Sequence, residues 1–369
     1  MKTGLSSAGF TLAELLVVVA ILSATALAAF GLVNEDRTQV RIDDTRNRLA
    51  ILRRAIIGPE SPAYGGEMRL AGYVADNGRL PQTLGALLNI VDENVTRPRA
   101  GVTPKLATTV DPATCIQTGG VDLDDAARVI KGHRGNYLAS VAARGGEFRD
   151  GWGNVSPVDD SDNFGWEWKW TGVGFDELTI TSLGADNISD GEPPPDLEAE
   201  VDQSMLIGDL DWRVPIDGWT VTLRNANALA SAGNPDEGDI DVGDSGLGIT
   251  GFSKLGLVLL VFENDGGSDG NGRWRQYRSN QTSCTASDDS VLKPRDSCKF
   301  SFVPDGDGKI ACGTGSIDAK VPIGRHVLLL TVKNGAESIG LPPAGKYRIV
   351  TQVDFFPGAL PPNLVWEVR

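Results

Sequence analysis

From Leu12 to about Val33 the sequence runs almost unbroken through Leu, Val, Ala, Ile and Phe. A helix of roughly 20 such residues, at about 1.5 Å each, covers the hydrocarbon core of a bilayer. One acid, Glu14, lies near the start of the run. On insertion scales an acid at a membrane helix centre costs about 2.5–3.5 kcal/mol, so a Glu14 carried into lipid calls for a partner. Cleavage of the polar leader Met1–Gly9 would supply one. The cut creates a new α-amino group on Phe10, and an ammonium and a carboxylate can then pair between neighbouring subunits.

The residues Gly9-Phe10-Thr11-Leu12-Ala13-Glu14, with the apolar run behind them, resemble the class III signal of type IV prepilins and type II secretion pseudopilins. The resemblance implies that a prepilin peptidase cuts after Gly9 and methylates the amine of Phe10, and that Glu14 guides subunits into a helical filament. It further implies a single-pass protein of the bacterial inner membrane, its head in the periplasm, with other pilin or pseudopilin subunits as partners. Two plainer readings compete. Ala24-Thr25-Ala26 and Ala26-Leu27-Ala28 are A-x-A sites at which an ordinary secretory peptide could be cleaved. Glu14 inside the apolar run, and a leader charged only at Lys2, fit that reading poorly. A transmembrane anchor kept whole leaves Glu14 unexplained.

Beyond Val33 the pattern turns amphipathic. Val40, Leu49, Leu52 and Ile56 recur near helical spacing among charged residues, and Gly58-Pro59 is a stop signal. One helix over 10–57 is therefore expected, half in membrane or filament core and half on a globular head. The 369 residues suffice for two folded domains beyond it. A net charge of −15 repels nucleic acid and anionic membrane surfaces. The 45 glycines and 20 prolines point to many turns. The expected fold is α+β: leader 1–9, helix 10–57, a head with a small antiparallel sheet over 58–191, a Pro-rich linker over 192–198, and a β-sandwich-like domain over 199–369.

Within the head, helices are expected over 67–76 and around 79–88. Three segments, Gly72–Pro81, Asp150-Gly151-Trp152-Gly153-Asn154 and Ser182-Leu183-Gly184-Ala185-Asp186, resemble in order the heads of major pseudopilins. In that family the last loop wraps calcium. The resemblance implies ligands from Asp186, with Asp190 and Glu192 nearby and carbonyls such as those of Leu183 and Ser189. Six to eight oxygens at about 2.3–2.6 Å would satisfy that ion. The loop departs from the family at Asn187–Pro193, and a solvated Asx-turn loop is the alternative. Trp166-Glu167-Trp168-Lys169-Trp170 alternates with period two, so one strand face carries three tryptophans, either as sheet core or as a surface for carbohydrate or a partner.

Gly191–Asp196 reads as a stiff proline linker. Beyond it, strands are expected at Trp219–Leu223, Leu255–Phe262, Arg273–Arg278, Lys299–Val303, His326–Val332, Tyr347–Phe355 and Asn363–Val368. Leu255–Phe262 is apolar throughout and reads as a buried central strand. Of the four cysteines, Cys284, Cys298 and Cys312 flank the Lys299–Val303 strand. One bridge among them would pin a Ser/Asp-rich loop in an oxidising compartment and leave one over; which pair closes is open. The acidic loops Asn264–Gly272 and Asp305–Gly308 lack the EF-hand pattern and read as turns. Gly243-Asp244-Ser245-Gly246 echoes a serine-protease motif, but neither His133 nor His326 sits in a matching context, so no enzyme is expected. The reading is a pilin-like structural subunit, minor or at a tip because the β-domain would obstruct dense lateral contacts, and able to meet secreted protein cargo. The alternative is an adhesin, or a module for a surface ligand, on a pilin-type anchor.

Overall fold

The structure is a computed structural model that describes residues 12–59, 70–88, 102–107, 110–117, 119–123, 128–138, 147–154, 164–172, 176–185, 203–226, 240–241, 255–264, 272–284, 291–312, 315–334, 338–340, 350–361 and 363–368. Side chains within helix residues 28–36 are outside that description.

Helix α1 (Leu12–Ile57) is continuous over 46 residues, roughly 70 Å at 1.5 Å per residue. It ends where the sequence places a stop. Gly58 takes a φ of 102°, open mainly to glycine, while its N–H still bonds the Arg54 carbonyl at 2.9 Å. Pro59 then has no N–H to continue the ladder. The second half of α1 buries Leu49, Leu52, Ala55 and Ile56, the leucines and the isoleucine each worth about 1.5–3 kcal/mol of apolar transfer when fully buried. Val40, expected on the same stripe, is 67% exposed, because at about 100° per residue it lies on the opposite side of the helix from Leu49, while its neighbour Arg41 meets the body at Trp152. Two short helices follow, α2 (Tyr73–Asn77) and α3 (Gly85–Leu88). Of the expected 67–76 helix, 67–69 lie outside the described residues, and 70–72 are not helical, because Gly72 at φ 106° and ψ 163° breaks the ladder before Tyr73.

Twelve strands carry the argument: β1 (Trp166–Thr171), β2 (Glu177–Ser182), β3 (Ser204–Ile207), β4 (Trp219–Asn225), β5 (Leu255–Glu263), β6 (Arg273–Arg278), β7 (Asn280–Cys284), β8 (Ser297–Phe302), β9 (Gly324–Asn334), β10 (Ser338–Gly340), β11 (Val350–Phe355) and β12 (Leu364–Val368). A one-turn helix, α4 (Asp209–Trp212), follows β3. The strands form a three-stranded sheet β1-β2-β3, a four-stranded sheet β7-β8-β4-β12, and a five-stranded sheet β6-β5-β9-β10 with β11 also on β9. All these pairs are antiparallel except β12 with β4, which is parallel from Leu364 opposite Val221 to Val368 opposite Asn225. The architecture is thus mixed α+β: an N-terminal helical part, then a largely β region of several small sheets.

Described residues on the two sides of the expected 192–198 linker share a sheet and a buried cluster. Strand β3, beyond it, adds to β2, with Leu178 opposite Ile207. A single buried cluster takes in Leu52 and Ile56 of α1, Leu178 and Ile180 of β2, Val221 and Leu223 of β4, Leu257 and Leu259 of β5, and Phe300 of β8. Strand β5 is buried on both faces, as its uniformly apolar sequence requires. Its other face, Val258, Leu260 and Phe262, joins Leu106, Leu123 and Val129 in a second cluster. The proline linker itself lies outside the described residues.

Two disulfides close. Cys284 and Cys298 face each other across β7 and β8. Cys115, which the sequence reading left aside, bridges Cys312 over a separation of 197 residues. The expectation of one bridge with a cysteine left over is thereby corrected. Spacing along the chain carries no information about two loops that the fold brings together from opposite ends.

Candidate functional site

The first part of α1 and the last part differ in exposure and in contacts with the folded body. From Leu12 to Leu27 every side chain is exposed, and the large apolar ones, Leu12, Leu15, Leu16, Val17, Val18, Val19, Ile21, Leu22 and Leu27, are between 47% and 80% exposed. An apolar surface that wraps a whole helix marks a membrane or protein contact. Glu14 lies in the first turn, where a carboxylate is favoured by the helix dipole. Gly9 and Phe10 lie outside the described residues. Among the described residues no helix is long and apolar enough to cross a membrane; described side chains of the apolar run stop at Leu27, and those of α1 resume beyond the run at Arg37.

The second half of α1 is fastened to the body at several points. Arg48 bonds Asp44 at 2.9 Å and donates to the Arg149 carbonyl at 2.9 Å. Arg53 reaches the Asp211 carboxylate at 2.8 Å, and Arg46 reaches Gln203 Oε1 at 2.8 Å. Thr45 is fully buried and accepts from the Gly151 N–H at 3.1 Å. The arginines of the amphipathic half therefore hold segments on both sides of the expected linker.

Two of the three head motifs meet at this seam. Asp150 is 1% exposed, and its carboxylate accepts from Gly153 N–H at 2.9 Å, Asn154 N–H at 3.2 Å, Asn154 Nδ2 at 2.8 Å and Ser182 Oγ at 2.9 Å. Asn154 Nδ2 also donates to the Gly184 carbonyl at 2.8 Å. The turn 150–154 and the loop from Ser182 are thus one hydrogen-bonded unit that rests on α1 through Gly151, and Arg41 stacks over Trp152 at 5.4 Å. Burial pushes the Asp150 carboxyl above the usual range, and the bonds from Ser182, Asn154 and Gly153 oppose the shift. The sequence named both motifs without showing that Asp150 joins them.

The calcium expectation finds no ligand set in the described part of this loop. Leu183 is buried and its N–H bonds the Gly165 carbonyl at 2.9 Å. The Gly184 carbonyl already takes the Asn154 amide, and Asp150 already takes four donors. Asp186, Asp190, Ser189 and Glu192 lie outside the described residues. Among the described residues no cluster of three or more His, Cys, Asp or Glu gathers as a metal site.

The tryptophan stripe packs inward. Trp166, Trp168 and Trp170 donate their indole N–H groups to the carbonyls of Phe148, Pro81 and Gln82 at 2.9, 3.1 and 3.3 Å. They tie β1 to the head loops, with Trp166 buried and Trp168 and Trp170 half-buried against the core. In the loop from Asp305, the Asp305 carboxylate caps the N–H groups of Asp307 and Lys309 at 3.0 and 2.9 Å, an Asx-type turn. The loop 265–271 and the Gly243–Gly246 motif lie outside the described residues. His326 is 1% exposed with Nε2 at 2.8 Å from the Pro322 carbonyl, and burial holds its pKa well below the ordinary imidazole value.

The chain matches no protein-family model, no curated protein and no solved structure.

Proposed function

We propose that the chain is a pilin-like structural subunit, made as a precursor, cut between Gly9 and Phe10 by a prepilin peptidase, and assembled through α1 into a type II secretion pseudopilus or related type IV pilus. The observation that carries this reading is the contrast along one uninterrupted helix. Its first sixteen described residues offer an all-round apolar surface with Glu14 in the first turn, and its last turns are bolted into the folded body. A helix built to stand in lipid and then in a filament core needs both halves.

In this reading the precursor sits in the inner membrane with its body in the periplasm, an oxidising compartment in which two disulfides persist. The segment around β1, β2 and the 150–154 turn is the pilin-like head. The four- and five-stranded sheets are a β-sandwich-like addition, fused to the head by β3, the common core and the Cys115–Cys312 bridge. Such bulk on every subunit would hinder lateral contacts, which favours a minor or tip position, where the addition could meet secreted protein cargo.

The test is Glu14→Ala in the full chain, produced with its peptidase and sister subunits. The expected result is a processed, membrane-held protein that no longer enters sheared filaments. Incorporation equal to that of the wild type would overturn the assembly role, and would favour a surface-binding protein on a simple anchor.

A further inference from the structure

Beside α2 a cleft of about 370 Å³ opens between that helix, the segment 128–134 and the paired strands β9 and β11. Its lining includes the apolar residues Leu70, Ala71, Ala75 and Val129, and gathers Arg128, Lys131, Arg134 and Arg325 against two carboxylates, Asp76 and Asp354. In a chain of net charge −15 this is a local reversal of sign.

Lys131 is the centre of that reversal. It is 4% exposed, and its Nζ donates to the Ala75 carbonyl at 2.6 Å. An ammonium has three donors, and a buried cation gains most from an opposite charge. The two nearby carboxylates are already engaged by arginine. Asp76 accepts from Arg134 Nε at 3.2 Å and from the Tyr137 hydroxyl at 3.1 Å. Asp354 takes both arms of Arg325 at 2.8 Å each. Arg128, exposed and in the left-handed region at φ 49°, lines the cleft, its backbone carbonyl accepting from Gln352 Nε2 at 3.4 Å.

We propose that this cleft binds a carboxylate carried on a small apolar body, the chemistry of a peptide's C-terminal residue or of a short carboxylic acid. The carboxylate lies against Lys131 and Arg128, and the body lies against Ala71 and Val129. The volume falls within the range of about 300–1,000 Å³ usual for small-ligand pockets, and an arginine fork suits a planar carboxylate. The apolar lining distinguishes such a ligand from inorganic phosphate. The inference stands whether or not the chain enters a filament.

Proton linkage gives the site a signature. Burial lowers the Lys131 pKa to about 7, with Asp76 and Asp354 pulling it up and Arg134 and Arg325 pushing it down. His326 lies beneath, itself held neutral by burial and by Lys131, and His133 acts on Asp76 from the same segment. A bound carboxylate favours the charged lysine, so binding takes up a proton and tightens as pH falls.

The experiment is calorimetric titration of the full chain in detergent micelles with N-acetyl-leucine, N-acetyl-leucinamide, N-acetyl-alanyl-leucine, hexanoate and inorganic phosphate. If only the charged lysine binds, the affinity for N-acetyl-leucine falls about 30-fold between about pH 6 and about pH 8.5. The amide and phosphate bind at least about tenfold more weakly than the acid, roughly the effect of losing one charged hydrogen bond. Tighter binding of the acetylated dipeptide than of hexanoate identifies a peptide end, and the reverse order a short acid. Lys131→Met abolishes the pH dependence. Arg128→Gln, at an exposed position where folding is not at stake, weakens the acid alone. Equal binding of acid and amide, equal binding of phosphate, or an unchanged affinity in Arg128→Gln would overturn the proposal.

Discussion

Replacing Asp150 with alanine removes the acceptor that joins two loops and seats them on α1. Four donors converge on that carboxylate, two backbone N–H groups, the Asn154 amide and the Ser182 hydroxyl, at 2.8–3.2 Å. A buried donor left without its acceptor costs about 1–3 kcal/mol, but water entering the vacated space recovers part of that, and Asn154 keeps its bond to Gly184. The expected net loss is about 2–4 kcal/mol. Asp150→Asn keeps one acceptor oxygen but turns an NH2 toward other donors, so about half of that loss is expected. The assay is urea unfolding of the full chain in detergent, followed by tryptophan fluorescence, since Trp152 and Trp166 sit beside the seam. Limited proteolysis then localises the loosening to the 150–154 turn and the loop after β2. A loss below about 0.5 kcal/mol for Asp150→Ala, the usual surface range, would refute the claim that this carboxylate organises the seam.

Gly78 closes α2 at φ 68°, and a Cβ there would lie 1.9 Å from the Phe262 carbonyl oxygen of β5; Gly78→Ala should cost about 3 kcal/mol or more and part the head from the five-stranded sheet, read as a lower unfolding midpoint. Breaking the 197-residue bridge with Cys115→Ser and Cys312→Ser should cost roughly 2–5 kcal/mol, against about 3 kcal/mol or less for the short Cys284–Cys298 loop, measured by unfolding under non-reducing conditions. Lys131 has a native pKa lowered from 10.5 to about 7, so the unfolded chain binds more protons between those values. Stability that this lysine contributes is present at high pH and is lost as pH falls toward 7. Relative to the wild type, Lys131→Met should therefore be most favourable near neutrality and lose that advantage toward about pH 9.5; a difference that does not change with pH would contradict the burial of a charge at this site.

Much of the architecture was legible wherever a residue pattern alone fixes the element. The Gly58-Pro59 stop and the apolar β5 mark their own ends, and the seven expected strands all appear, within a few residues, among the described ones. Pairing between distant segments was not legible. Nothing in Leu364–Val368 announces a parallel partner in β4, because a short alternating strand reads alike in either direction. Nothing near Cys115 points to Cys312. The boundary at the proline linker followed composition, whereas β3 and the buried cluster follow whichever apolar faces the fold brings together. At the seam, Asp150 and Ser182 stand in motifs that the sequence singled out, but their contact depends on a turn and a loop that only tertiary structure aligns. Val40 was grouped with the helical stripe and is exposed, since nine residues separate it from Leu49 and at about 100° each that puts it half a turn off the buried face.

The central claim is that α1 becomes an assembly helix only after its leader is removed, and the mature N-terminus tests it most directly. Mass spectrometry of membrane-extracted protein should find a chain beginning at Phe10 with added methyl mass on its amine. A chain beginning near Ala28 or Ala29, or one retaining Met1, would contradict the account.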